Sequence, residues 1–210
     1  MNSLNIQFIK YLFISSLLLS NILACKIITL GGLILPAAVI LYPLTFLFTD
    51  VVAEIEGKKS ASSLVMMGFY MSLFMVFVIF IVKLLPAAGF WKHQEAYNVI
   101  LGATPRIVIA SMIAYVLSQR HDIWAFHWWK QKTGGRHLWL RNNLSTIASQ
   151  LIDSILFITI AFWGVFSPSA IGIMILSQYA VKVVIALLDT PLCYMLVRFY
   201  GSNREQIQGA

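Results

Sequence analysis

The sequence predicts an all-α integral membrane protein: a bundle of six transmembrane helices with short loops and both termini cytoplasmic. Three observations predict it. The 210-residue chain is 60% hydrophobic and only 11% charged, its mean hydropathy is +0.83, and so much apolar surface cannot all face water, since soluble domains average roughly 25% charged residues. The apolar residues gather into six runs of spanning length. The Lys and Arg residues are spread unevenly over the loops between those runs.

A span needs about 20 mainly apolar residues at a rise of about 1.5 Å each. By that measure helix 1 covers about 7–25, helix 2 about 32–50, helix 3 about 62–85, helix 4 about 105–129, helix 5 about 143–164 and helix 6 about 170–198. In helix 1, Lys10 precedes YLFISSLLLSNILAC. That pattern is shared by secretory leaders, and ILAC is close to a lipoprotein cleavage box. Five further apolar segments follow, so the stretch is read as a first span. Helix 2 enters through YPLTFLFT and ends against Asp50, Glu54 and Glu56. Helix 3 is apolar up to Lys83, whose long stem lets it snorkel. Helix 4 begins at Pro105, a residue suited to a first turn, and carries Ser111, Tyr115, Ser118 or Gln119, and Asp122 on one face. In helix 5, Asn142, Thr146, Ser149, Gln150 and Asp153 follow 3–4 spacing and form a polar stripe. Helix 6 aligns Gln178, Lys182 and Asp189, with a kink expected at Pro191. No loop is long enough for a soluble domain, so 1–210 reads as a single membrane domain.

Orientation follows from the cations. With six spans, one side carries Lys10, Lys58, Lys59, Lys130, Lys132, Arg136, Arg141, Arg198 and Arg204, whereas the other offers Lys26 and Lys92. The richer side is cytoplasmic by the positive-inside rule. This loop distribution also explains the net charge of +7 without a nucleic-acid-binding face. Trp91, Trp124, Trp128, Trp129 and Trp139 fall near expected helix ends, as interfacial anchors do.

Several function classes are excluded or weakened. Cys25 and Cys193 have no metal or disulfide spacing and read as small apolar residues. His93, His121, His127 and His137 fall at expected interfaces or loops, also without metal spacing. The chain has no phosphate-binding Gly-x-x-x-x-Gly-Lys-[Ser/Thr] loop, no His-Glu-x-x-His and no Gly-x-Ser-x-Gly. It cannot use ATP alone, and no cofactor is indicated.

Charges at bilayer depth are the informative residues, because each costs about 2.5–3.5 kcal/mol at the centre on insertion scales and normally faces a cavity or a partner. Asp153 sits near the middle of helix 5, so its polar stripe reads as one wall of a substrate cavity. The competing reading is interhelical hydrogen bonding, worth only about 0.6 kcal/mol per contact. Lys182 either neutralises Asp153 or Asp189 structurally or serves as a gate. A short pattern, Ser-Gln-x-x-Asp-x-x-x-Phe, occurs at Ser118, Gln119, Asp122, Phe126 and again at Ser149, Gln150, Asp153, Phe157. Both copies place Ser and Asp on one helical face. Arg106 lies near the outer end of helix 4. Glu54 and Lys58 have the favourable order for a helical salt bridge. Asp50 has no basic residue three or four positions away and is expected to find a partner on another helix, or to bind a proton or substrate.

At these residues the chain resembles the queuosine precursor transporter family, also called the vitamin uptake transporter family. Four stretches carry the likeness: YPLTFLFTDVVAEIEGKKSA at 42–61, RIVIASMIAYVLSQRHDIWAF at 106–126, WLRNNLSTIASQLIDSILFITIAFWG at 139–164 and QYAVKVVIALLDTPLCY at 178–194. The resemblance implies a six-helix inner-membrane importer of 7-deazaguanine bases, namely 7-cyano- or 7-aminomethyl-7-deazaguanine or queuine, salvaged for tRNA modification. It implies no enzyme activity and no direct nucleic-acid partner. On this reading Asp153 or Asp122 reads the guanine-like edge, helped by Gln150, Asn143 and Gln119, with Tyr115 or Phe157 stacking on the base. Lys182 and Asp189 form a gate or proton relay, and Arg106 and Asp50 are outer and inner elements. The partners are then the deazapurine and the lipid bilayer, with homo-oligomerisation and an ATPase partner left open. The rival readings are a substrate-binding subunit of an energy-coupling-factor importer, driven by an external ATPase, and a membrane-embedded enzyme. The histidine positions speak against the enzyme.

Overall fold

A computed structural model describes residues 3–132 and 138–185; the side chains of 3–5, 122–123, 126–127, 130 and 138–146 fall outside that description. The fold is that of a helical membrane protein. Six α-helices appear among the described residues: α1 (Ser3–Leu23), α2 (Tyr42–Glu56), α3 (Lys58–Leu84), α4 (Gln94–Lys132), α5 (Leu138–Phe162) and α6 (Pro168–Ile185). Four of them carry stretches long and apolar enough to cross a membrane: Ile6–Leu23, Lys58–Leu84, Gln94–His121 and Pro168–Ile185. The helices expose apolar side chains, as on α3 at Tyr70, Phe74, Phe77 and Phe80, which suits a surface solvated by lipid.

Two expectations are corrected. Residues 32–50 do not form one helix. Strands β1 (Ile27–Leu30) and β2 (Leu33–Pro36) pair antiparallel, a 3₁₀ turn covers Ala37–Ile40, and α2 starts at Tyr42. Gly31 and Gly32 have φ of 56° and 85°, the positive values that a two-residue type I′ hairpin turn demands at both central positions. A hydropathy window cannot separate such a strand pair from an apolar helix. Helix 4 was expected to begin at Pro105, but α4 starts at Gln94 and holds Pro105 inside it. The residues from Gln94 to Thr104 are adequate helix formers, so the helix continues across the missing donor.

The chain folds as two compact units, and their boundary in α4 falls at Thr104–Pro105. The described part of the first unit comprises 3–26, 37–104 and 184–185. Here α1, α2 and α3 pack against one another around Ile9, Phe13, Val51, Val52, Leu64 and Phe69. Gly68 lets α1 and α3 approach: a Cβ there would sit 2.6 Å from Leu17 Cδ2 and 3.0 Å from Phe13 Cε1. One turn on, Asn21 Nδ2 donates to Ser72 Oγ (3.2 Å), and that hydroxyl donates to the Gly68 carbonyl (2.9 Å). Small residues plus interhelical hydrogen bonds are the usual means of helix association in lipid.

In the acidic cluster, the ion-paired residue is Glu56 rather than Glu54: Lys10 Nζ on α1 lies 2.7 Å from Glu56 Oε2, and Ser60 donates to the same oxygen. The hydrogen bond from Lys10, then that from Ser60, holds the Glu56 carboxyl below the usual carboxylate range. A depressed folded-state pKa stabilises above the unfolded value and loses that stabilisation as pH falls through the folded one. Glu56→Gln is therefore expected to lower thermal stability at pH 7 by no more than about 1 kcal/mol, as for exposed pairs, and to match wild type once Glu56 is protonated in both states. Melting in detergent across pH 3–8 checks this.

The second unit comprises 27–36 and 105–183: the hairpin, α4 from Pro105 onward, α5 and most of α6. Ile107, Val108, Ala114, Ile158 and Met174 form its apolar interior, together with fully buried Leu35 from β2.

Candidate functional site

Several of the polar side chains of interest belong to this second unit. On α5 the 3–4 spacing of Ser149, Gln150 and Asp153 puts them on one face. On α6, Gln178 and Lys182 are one turn apart and both are buried. Lys182 Nζ donates to Asp153 Oδ2 in a closed ion pair, with only 6% and 7% of the two residues exposed. Charges this buried persist only when paired, so the pair ties α5 to α6. Of the two neutralising partners expected for Lys182, Asp153 is engaged, and Asp189 lies outside the described residues.

The pair leaves hydrogen-bonding capacity unspent. Among the described residues, the other Asp153 oxygen has no hydrogen-bond partner. One turn earlier on the same face, Gln150 Oε1 is sealed from solvent, also without one. Ser149 Oγ lies 3.1 Å from His121 Nδ1 of α4, so a third helix reaches the stripe. The face therefore combines a carboxylate oxygen and an amide carbonyl, both acceptors, beside a buried ammonium. A ligand that fits it carries adjacent N–H donors and an acceptor.

Of the remaining expected site residues, Tyr115, Gln119, Asp50 and Arg106 are described. Tyr115 is half-buried on α4 and is engaged by a neighbour. Gln119 is exposed, whereas its neighbour Ser118 is buried and donates to the Tyr115 carbonyl at 3.1 Å. The two copies of the short pattern thus differ: Ser118 bonds back within its own helix, and Ser149 meets a residue of another. Asp50 is exposed on α2, in the first unit, and has an interaction partner. The side chains of Asp122 and Asn143, and the whole of Asp189, lie outside the described residues.

Arg106 does not stand free at a helix end. Its Nε donates to the Ile160 carbonyl and its second guanidinium nitrogen, Nη2, to the Trp163 carbonyl, both at 2.6 Å. These are carbonyls of the last turn of α5 and the residue just past it, which have no intrahelical donor, and a cation there also suits the helix dipole. The guanidinium therefore caps the helix that carries Asp153.

Two residues escaped the sequence reading. His121 had no spacing that linked it to Ser149. Ser177, buried on α6 beside Gln178, accepts the Ile34 N–H at 3.2 Å. In an antiparallel hairpin closed by two residues, the pair next to the turn is hydrogen-bonded and the following pair is not. Leu33 faces Leu30 and Ile34 faces Thr29, so the Ile34 N–H points off the hairpin and needs an outside acceptor. At the next such position stands Pro36, which has no N–H. Ser177→Ala is expected to cost about 1 kcal/mol, the low end of the penalty for an unsatisfied donor, because Ile34 is only partly buried. It should also speed amide exchange at Ile34, which mass spectrometry can follow.

The chain is similar to known proteins over most of its length. The family model described as "Putative vitamin uptake transporter" matches residues 36–196, which include α5, α6 and both members of the ion pair. A relative from Bacillus subtilis (strain 168), "Probable queuosine precursor transporter", is 31% identical over 176 residues, covering 83% of this chain and 77% of the relative. A second, "Queuosine precursor transporter" of Escherichia coli (strain K12), is 30% identical over 129 residues, or 61% of this chain and 55% of the relative. No solved structure matches the chain. A match over most of the length, through the elements that build the buried pair, places the chain in the queuosine precursor transporter family, the vitamin uptake transporters.

Proposed function

We propose that this protein imports 7-deazaguanine bases, the cyano or aminomethyl precursors of queuosine or queuine, across the bacterial cytoplasmic membrane. The observation that carries this reading is the buried Asp153–Lys182 pair with the unpartnered Gln150 carbonyl beside it. A 7-deazaguanine presents a ring N–H and an amino group side by side, and a carboxylate accepts both in a bidentate, charge-assisted manner. Asp153 takes that edge, and Gln150 lies within reach of it. Tyr115 stacks on the ring, and Asn143, Gln119 and Asp122 complete the wall. Asp189 works with Lys182 as the gate or proton relay. Asp50 serves the inner end, and Arg106 the outer end, where it fixes α5.

The helices form six spans with both termini in the cytoplasm, and the protein acts as a carrier rather than an enzyme. The names of the two relatives support the substrate class. The test is uptake of labelled 7-cyano-7-deazaguanine into proteoliposomes that contain this chain alone. Accumulation without any ATPase supports the carrier and counts against the energy-coupling-factor reading. Uptake that appears only when an ATPase pair is added reverses that conclusion.

A further inference from the structure

We propose that Lys182 is a substrate-displaced lock: in the empty carrier its ammonium holds Asp153 in the place that the N–H donors of the incoming base take over, and on loading it moves to the Gln150 carbonyl. This proposal rests on the transport reading above and adds how the site is regulated.

Four observations carry it. First, Asp153 is the only carboxylate whose side chain is described in the second unit. It is nine-tenths buried, so an empty site must supply its own counter-charge. Lys182 does so. Second, the substrate edge and the ammonium compete, since both offer N–H donors to one carboxylate. Third, an acceptor waits next door. Gln150 Oε1 is sealed and without a hydrogen-bond partner, three residues before Asp153 on the same helix face, where such neighbours stand about 5–6 Å apart. A buried carbonyl left unpaired is costly, and an ammonium arriving from Asp153 satisfies it. Fourth, lysine suits a two-position switch. Its compact ammonium sits on a flexible four-carbon stem, whereas arginine would grip the carboxylate with a planar fork. Both positions lie on α5, so the exchange needs only side-chain rotation from α6.

The experiment measures binding of labelled 7-cyano-7-deazaguanine to the purified full-length chain in nanodiscs. Lys182→Met removes the competitor and should tighten binding at least about tenfold, while slowing base exchange in proteoliposomes because nothing displaces the base. Lys182→Arg keeps the pair intact, and therefore the fold, and should weaken binding about tenfold. Gln150→Leu should weaken binding in the wild-type background and have little effect in Lys182→Met, a coupling that a double-mutant cycle isolates. If Gln150 only contacts the base, it weakens both backgrounds equally, and the landing position is overturned. Folded Lys182→Met that binds no tighter than wild type, or Lys182→Arg that binds as well, overturns the lock while leaving the carrier standing. Wild type that binds no 7-deazaguanine overturns the transport reading, and the lock with it.

Discussion

Asp153→Asn is expected to abolish uptake of 7-deazaguanine bases and to destabilise the folded chain by about 3–5 kcal/mol, the usual result of removing one partner from a buried ion pair. The substitution leaves the Lys182 ammonium buried against a neutral amide. It also replaces one acceptor oxygen by an NH₂ group that opposes the donors of the base. The two consequences separate in the double variant Asp153→Asn, Lys182→Met. Removing the stranded cation should recover most of the stability, because a neutral pair tolerates burial, yet uptake should stay absent. Thermal melting reads the first effect. Queuosine in the tRNA of a strain unable to make the precursor reads the second. Unchanged queuosine in the single variant would remove Asp153 from the substrate site.

The second large effect belongs to Arg106. Arg106→Met keeps the apolar stem but loses both hydrogen bonds to the Ile160 and Trp163 carbonyls. Hydrogen bonds from a charged donor are worth about 1.5–3 kcal/mol each. Arg106 is exposed, so a total loss of about 2 kcal/mol is expected. The damage should be local. The last turn of α5 and the bend after it are held by Trp163 N–H to Thr159, and by Val165 and Phe166 N–H to Phe162. Those amides should exchange faster, while Ile107 and Val108 in the interior stay protected. Arg106→Lys should recover less than half of the stability, because one ammonium cannot reach two carbonyls with the fork geometry. Exchange at these amides equal to wild type in Arg106→Met would show that the cap is idle.

Why some of this was legible in the sequence and some was not has a physical explanation. The α5 stripe could be read because helical periodicity places Ser149, Gln150 and Asp153 on one face. The expense of charge in lipid marked Asp153 and Lys182 as partners or functional groups. Composition alone announced the membrane class. The hairpin was hidden because IITLGGLILP is as apolar as the helix that follows it. Gly31-Gly32 between β-favouring residues was the available signal, and hydropathy averaging removed it. The start of α4 was misplaced because proline at a first turn outweighed the ordinary helix formers before it. The cap that Arg106 makes was not legible, because its partners are backbone carbonyls, and these leave no trace in the sequence. The link from His121 to Ser149 depends on how α4 packs on α5, which no spacing encodes. In the acidic cluster, local spacing favoured Glu54 with Lys58. The helix packing instead brought Lys10, 46 residues away, to Glu56.

The most direct test of a donor-reading carboxylate at Asp153 is the difference in affinity between two bases of nearly the same shape, measured on the purified full chain: 7-cyano-7-deazaguanine and 7-cyano-7-deazaadenine. The adenine-type base lacks the paired ring N–H and 2-amino donors, so its binding leaves Asp153 unmatched. Sites built to hydrogen-bond a group discriminate strongly against analogues without it. The expected result is binding of the guanine-type base, with the adenine-type base weaker by roughly a hundredfold or more. Equal affinity for the two would contradict the assignment of Asp153 as the reader of the base edge.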